Sequence, residues 1–218
     1  MLCCKKKNKV KVNTFSFQFL HLIESGSLKT RKDYDDLWEE AKVAGKTREI
    51  LLAKDADKDT AVRIASRMGN ITALKFVLEK LDMPEYQSIK VDINQRKHDN
   101  GFTPLLEACK KGYIGAEFIK DSEKVRDDRY AVVKLLIEKG ADVNIQANLV
   151  KMTPLHWACY NNDFDVVKLL LDKGAVQTRA SNGNYPVDIA GVCGYKDVVN
   201  VICKNLRHKV MITLAKQS

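Results

Sequence analysis

Lys151-Met-Thr-Pro-Leu-His-Trp-Ala-Cys159, followed by Asp165-Val-Val-Lys-Leu-Leu-Leu-Asp-Lys-Gly-Ala175, decides how this chain is organised. A tight Thr-Pro turn opens a short helix with Leu155 and Ala158 on one face. A second helix follows, carrying Val166, Val167, Leu169, Leu170 and Leu171. It closes on Gly174, a residue suited to the left-handed position that ends a helix. One such pair is too small to bury its own apolar face, so it requires neighbours.

The neighbours are present. Asn100-Gly-Phe-Thr-Pro-Leu-Leu-Glu-Ala-Cys-Lys-Lys-Gly112 pairs with Ala131-Val-Val-Lys-Leu-Leu-Ile-Glu-Lys-Gly-Ala-Asp-Val-Asn144. Asn182-Gly-Asn-Tyr-Pro-Val-Asp-Ile-Ala190 pairs with Val198-Val-Asn-Val-Ile202, and Asp59-Thr-Ala-Val-Arg-Ile-Ala65 with Ala73-Leu-Lys-Phe-Val-Leu78. Ala65, Ala108, Ala158 and Ala190 lie at one offset from the turn. Gly69, Gly112, Asn162 and Gly194 lie at a second. Two independent features held at fixed offsets argue against chance. With Asp36 in the turn position, Ala41 and Gly45 fall at the same offsets, and Ile50 and Leu52 join the apolar stripe of a second helix. Residues 35–58 are therefore expected to form a degenerate N-terminal cap, as terminal repeats are polar and atypical.

Thr-Pro-Leu-His and the Leu-Leu-Leu-x-x-Gly-Ala ending resemble the ankyrin repeat. The resemblance implies an all-α solenoid of stacked helix-turn-helix units with short finger loops, and a non-catalytic scaffold that binds protein partners. About five repeats start near 36, 60, 103, 153 and 185, so residues 35–206 form the repeat body, flanked by a basic arm (1–34) and a basic tail (207–218). The extra length before 103 sits at 79–88 around Pro84, a loop after a helix. A second insertion, near 113–130, separates the two helices of one repeat. Its mixed charges suit a solvated helical extension leading into Ala131. It is either a tolerated surface insertion or a dedicated site.

The formal charge of +9 is unevenly distributed. Residues 1–34 carry +6, residues 204–218 carry +4, and residues 35–203 carry −1. The basic character thus belongs to the tails, no basic face with interleaved aromatics is visible, and no specific nucleic-acid binding is expected. Cys109 and Cys159 follow the fixed-offset alanines and suit small buried positions. Six cysteines without Cys-x-x-Cys or zinc spacing, and no secretory signal, point to a reducing, cytoplasmic setting and to no metal or other cofactor. No apolar run approaches the ~20 residues needed to cross a bilayer.

The arm allows two readings. In one, residues 1–12 are a basic lead into a short apolar element that covers the first repeat. In the other, S-acylated Cys3 and Cys4 join the lysines at 5, 6, 7, 9 and 11 as a two-signal peripheral membrane anchor. Leu2 excludes N-myristoylation.

No nucleophile, phosphate loop or carboxylate pair stands at catalytic spacing, so no enzyme activity is expected. His156 belongs to the turn. In the family this imidazole bonds backbone of the neighbouring finger.

The ankyrin fold also implies which residues face a partner: finger tips and the exposed side of the first helices, which form a concave groove. Those positions are Asp99, Asn100, Phe102, Lys110 and Lys111 in one repeat, and Leu149, Val150, Met152, Tyr160 and Asn161 in the next. Binding is expected to centre on Phe102, Met152 and Tyr160, with Lys110 and Lys111 steering an acidic or mixed segment. Lys151 replaces the usual turn glycine, and the finger is one residue longer than the family norm. Leu149 and Val150 either project into the groove or fold inward.

Overall fold

In the computed structural model, residues 14–25, 30–110 and 123–215 are described. They are helical, with no strand among them. Four helix pairs repeat one local plan. The first helices are α4 (Ala61–Met68), α6 (Pro104–Lys110), α8 (Pro154–Tyr160) and α10 (Pro186–Val192). The second helices are α5 (Ile71–Leu81), α7 (Glu123–Glu138), α9 (Phe164–Asp172) and α11 (Lys196–Ala215). First helices pack on first helices and second helices on second helices, so the pairs stack in one line as a solenoid.

The turn chemistry explains why each first helix begins where it does. Thr60, Thr103 and Thr153 each accept a backbone N–H three residues on, satisfying a donor that the first turn leaves free. Tyr185 has no such hydroxyl geometry. There the Asp188 carboxylate accepts the Tyr185 N–H at 2.8 Å instead. Asn70 and Asp163 cap the second helices α5 and α9 in the same way. The fixed-offset alanines are all buried: Ala65, Ala108, Ala158 and Ala190. At the second offset Gly69, Asn162 and Gly194 are all left-handed, with φ of 67°, 54° and 75°. Gly112 lies outside the described residues. α7 starts at Glu123, about two turns before the position equivalent to the start of α9.

Between pairs, the chain forms finger hairpins. Asp55, Lys97, Ala147 and Ala180 each donate N–H to the carbonyl that closes the finger, on Asp59, Phe102, Met152 and Asn184 respectively. The residue two before the turn is left-handed in all four: Lys58, Gly101, Lys151 and Gly183. Fingers also join one another, through Asn148 N–H to Asn100 O at 2.9 Å and Ser181 N–H to Val150 O at 3.0 Å. At Gly101 the approach is so close that a Cβ would fall 2.2 Å from the Asn148 side chain. Asn94 and Asn144 each bracket the following repeat, donating to Gly140 O and Gly174 O and accepting from Asp142 and Val176 N–H.

The N-terminal end departs from the expected register. α1 (Thr14–Ser25) packs against α4, and α2 (Arg31–Val43) packs against α5. These two helices therefore occupy the first-helix and second-helix places ahead of the Thr60 repeat. Asp36 lies inside α2 and opens no turn; the helix begins after Thr30, whose N–H is accepted by the Asp33 carboxylate. Gly45 is left-handed and Ala41 is buried, as their offsets imply, but the short α3 (Thr47–Leu51) that follows packs beside α1. Ile50 is buried, whereas Leu52 is exposed and Leu51 takes the interior place. Phe19, Tyr34, Trp38 and Phe76 form a ring-to-ring core that fastens this end, with centroids 5.5–6.2 Å apart. One core runs from Phe19 through Leu74, Leu105, Leu136, Leu155 and Leu170 to Ile202.

Candidate partner-binding face

Four residues hold the face together: Phe102, Lys110, Trp157 and Tyr160. Phe102 ends the second finger and Lys110 ends α6, while Trp157 and Tyr160 lie one turn apart on α8. Phe102 and Trp157 have ring centroids 6.0 Å apart, and Trp157 and Tyr160 meet edge-on at 6.2 Å. The Lys110 ammonium lies over both Phe102 and Trp157, at 4.8 and 5.6 Å from the centroids. Tyr160 is 56% exposed. Leu149 and Val150, at the tip of the third finger, are 77% and 39% exposed, so they project outward. The finger tolerates them because Lys151 adopts a left-handed φ of 52° in place of glycine. Met152 is half-buried.

Phe102 requires a correction. Expected as an exposed anchor, it is buried in a small cluster with Leu106 and Ala147, against which Ile145 and Trp157 pack. Lys110 covers what remains of its ring. The aromatic surface available to a partner is instead that of Tyr160 and the half-buried Trp157. Trp157 was not singled out because its position is held by Ile64, Glu107 and Ile189 in the other repeats, which gives no recurring cue. Its indole N–H is buried with no acceptor among the described residues.

Other expected positions divide by what they touch. Asn161 donates to Cys109 O at 2.7 Å and so ties α8 to α6. Asn100 accepts Phe102 N–H and shapes its finger. Asp99 is exposed at the second finger tip. Lys111, Cys3, Cys4 and the rest of residues 1–12 lie outside the described residues, as does most of the insertion.

The same face changes character toward the N-terminus. Asp59 and Arg63 are buried and paired at 3.0 Å. Arg67 reaches the other Asp59 oxygen at 2.9 Å and Glu24 at 3.1 Å, and Lys97 stands 3.6 Å from Asp59. Arg63 also donates to Phe102 O and, at 2.7 Å, to Gln95 O. Burial pushes the Asp59 carboxyl up and the Arg63 guanidinium down, and their mutual attraction opposes both. Glu107, also buried, is pushed up by the same loss of water, offset by the field of Arg63. The Asp59 Oδ1–Arg63 contact has ion-pair distance without hydrogen-bond alignment.

In the Thr153 repeat, His156 holds the place of Arg63. Thr153 N–H donates to Nδ1 at 3.0 Å, which leaves the proton on Nε2 to donate to Asn184 O at 3.3 Å. Burial lowers the imidazole pKa, so the ring is kept neutral. Burial likewise pushes up the Cys109 thiol, and the Cys159 thiol to about 12; both are packing groups rather than nucleophiles. Among the described residues there is no cluster of three or more metal-ligating side chains, and no helix long and apolar enough to cross a membrane.

This geometry is that of stacked helix pairs joined by finger loops, and the comparisons agree. The family model described as ankyrin repeats, in three copies, matches residues 122–213. The chain carries ankyrin repeats over this stretch. It is 34% identical over 132 residues to an alpha-latrocrustotoxin of Latrodectus tredecimguttatus, covering 52% of this chain and 9% of the toxin. It is 39% identical over 87 residues to a putative ankyrin repeat protein of Acanthamoeba polyphaga mimivirus, covering 39% and 27%. It is 28% identical over 175 residues to the human transient receptor potential cation channel subfamily A member 1, covering 70% and 16%. The chain thus spans a small part of each relative's length. Ankyrin repeats mark the chain as carrying a protein-interaction domain.

Proposed function

We propose that this protein is a non-catalytic scaffold that holds a segment of a partner protein against the finger tips and first helices of the Thr103, Thr153 and Tyr185 repeats. The observation that carries this reading is the outward placement of Leu149, Val150 and Tyr160 beside a half-buried Trp157. Solvated finger tips favour short polar side chains, whereas adjoining aromatic and aliphatic groups on a rigid base suit interface anchors. Rigidity is supplied from below: Asn161 ties α8 to α6, and His156 ties the third finger turn to the fourth finger. The anchors are therefore presented at little cost in ordering on binding.

A photo-crosslinking residue at position 160 tests this. It should capture a discrete partner from cells, and the same residue at exposed Lys168 on α9 should not. Equal capture at both positions, or capture at 168 alone, would move the interface off this face.

A further inference from the structure

Charge on this face is sorted in a way that the near-neutral repeat body conceals. On the N-terminal side, Arg63, Arg67 and Lys97 all converge on the buried Asp59, with Glu24 and Glu107 nearby. Those cations are already matched. On the C-terminal side the cations meet mainly neutral groups, although Lys110 also lies in the field of the buried Glu107 on its own helix. Arg96 donates to Gln146 O at 2.9 Å and to the Asn148 side chain at 3.1 Å. Arg179 stacks on Tyr185 at 5.1 Å, Lys110 lies on the Phe102 and Trp157 rings, and Lys151 is exposed at the third finger tip. Among the charged residues of these three fingers, Asp99 is the single carboxylate. The exposed apolar anchors are thus bordered by Arg96, Lys110, Lys151 and Arg179, against Asp99 in the fingers and the buried Glu107 on α6.

Resting on the scaffold reading above, we infer that the occupant of this face is an acidic polypeptide segment in which carboxylates flank an aromatic or aliphatic anchor. A carboxylate approaching Lys110 offers the ammonium a stronger partner than the rings, whose cation–π attraction at a partly exposed site is weak. Drawing the ammonium aside uncovers the Phe102–Trp157 pair. The adjacent apolar side chain of the segment then packs on those rings and on Tyr160, and the indole N–H of Trp157 gains access to a backbone carbonyl. A basic segment would meet Lys110, Lys151 and Arg179 as like charges. Nucleic acid shares the required negative charge and can stack on aromatics, but it lacks the aliphatic anchor that Leu149 and Val150 would receive.

The test uses the full chain as bait for a random peptide library displayed on phage, followed by anisotropy titration of the winning peptides at about 0.1 M salt, where charges roughly 10 Å apart still interact. Net-acidic peptides with an embedded aromatic or large aliphatic residue should be enriched. Their binding should fall by about tenfold or more in the triple variant Lys110→Gln/Lys151→Gln/Arg179→Gln, and should survive in Lys110→Arg. It should also fall in Tyr160→Ala. Neutral or basic winners that depend on Tyr160 would overturn the acidic assignment and leave the scaffold reading standing. Acidic winners indifferent to both variants would be bound by the basic tails, and that result would overturn both readings. Failure to enrich any peptide, or tighter binding of a single-stranded oligonucleotide through the same residues, would overturn the inference as well.

Discussion

The Thr60 and Thr153 repeats perform the same structural task with opposite chemistry. Three residues after the turn, each sends a side chain across to backbone carbonyls near the next finger. His156 does so as a neutral ring whose second nitrogen is occupied by Thr153. Arg63 does so as a buried cation, which obliges Asp59 to be buried beside it and draws in Arg67 and Lys97. The consequence reaches the surface. Around Asp59 the face is an ionic network closed on itself. Around His156 no charge must be neutralised, so the surface is free to carry Leu149, Val150 and Tyr160, with Arg96 and Arg179 set against neutral groups at their margin. The difference separates a half of the face built for cohesion from the half proposed for binding.

The largest effect should come from opening the ionic half. Asp59→Ala leaves Arg63 buried without its carboxylate and should lower unfolding stability by about 3–5 kcal/mol, read by urea denaturation. Converting the Thr60 repeat toward the chemistry of its counterpart, with Asp59→Asn and Arg63→His together, should recover much of that loss. A double variant as unstable as the single one would show that the two bridging solutions are not interchangeable.

Tyr160→Ala acts on the other half. An exposed anchor contributes mainly to the complex, so partner affinity should drop by about 2 kcal/mol while unfolding stability changes by less than about 1 kcal/mol. A large stability loss would make Tyr160 a core residue and undo the division.

The neutral bridge should also give the molecule a pH dependence. The folded pKa of His156 lies below its model-peptide value of 6.5. In that window the unfolded chain binds the extra proton, so the contribution is fully present above about pH 6.5 and is lost as pH falls toward the folded pKa. The slope cannot exceed about 1.4 kcal/mol per pH unit. His156→Gln should remove this component from stability measured between about pH 5 and 7. An unchanged profile would mean that the imidazole is not held neutral.

A smaller effect belongs to the fingers shared by both halves. Lys58 holds a left-handed φ of 62° where the second and fourth fingers have glycine. Lys58→Gly should relieve strain of the order of 1 kcal/mol, part of which is cancelled by the greater freedom of glycine in the unfolded chain. A modest rise in melting temperature is expected, and a fall would show that the lysine makes a compensating contact.

What was legible in the sequence follows the same division. The buried alanines and the left-handed positions recur because each repeat meets the same backbone constraint, so their offsets survive wide variation elsewhere. The first helix pair was not legible in register. Phe15, Phe19 and Ile23 lie on one helical face, yet the interleaved Phe17 and Leu22 obscure that period. Aromatic contacts among Phe19, Tyr34 and Phe76, which no spacing announces, settle the packing there. The proposed binding face was half legible. Tyr160, Leu149 and Val150 follow from family positions. The exchange of roles between Phe102 and Trp157 does not, because it depends on Lys110 lying across two repeats.

Hydrogen exchange of the full chain, with and without a peptide selected on it, tests the division most directly. Binding to the open half predicts added protection at residues 147–152 and 157–161, with none at residues 55–68. Protection confined to 55–68, or to the second helices, would contradict the assignment of cohesion to one half of the face and recognition to the other.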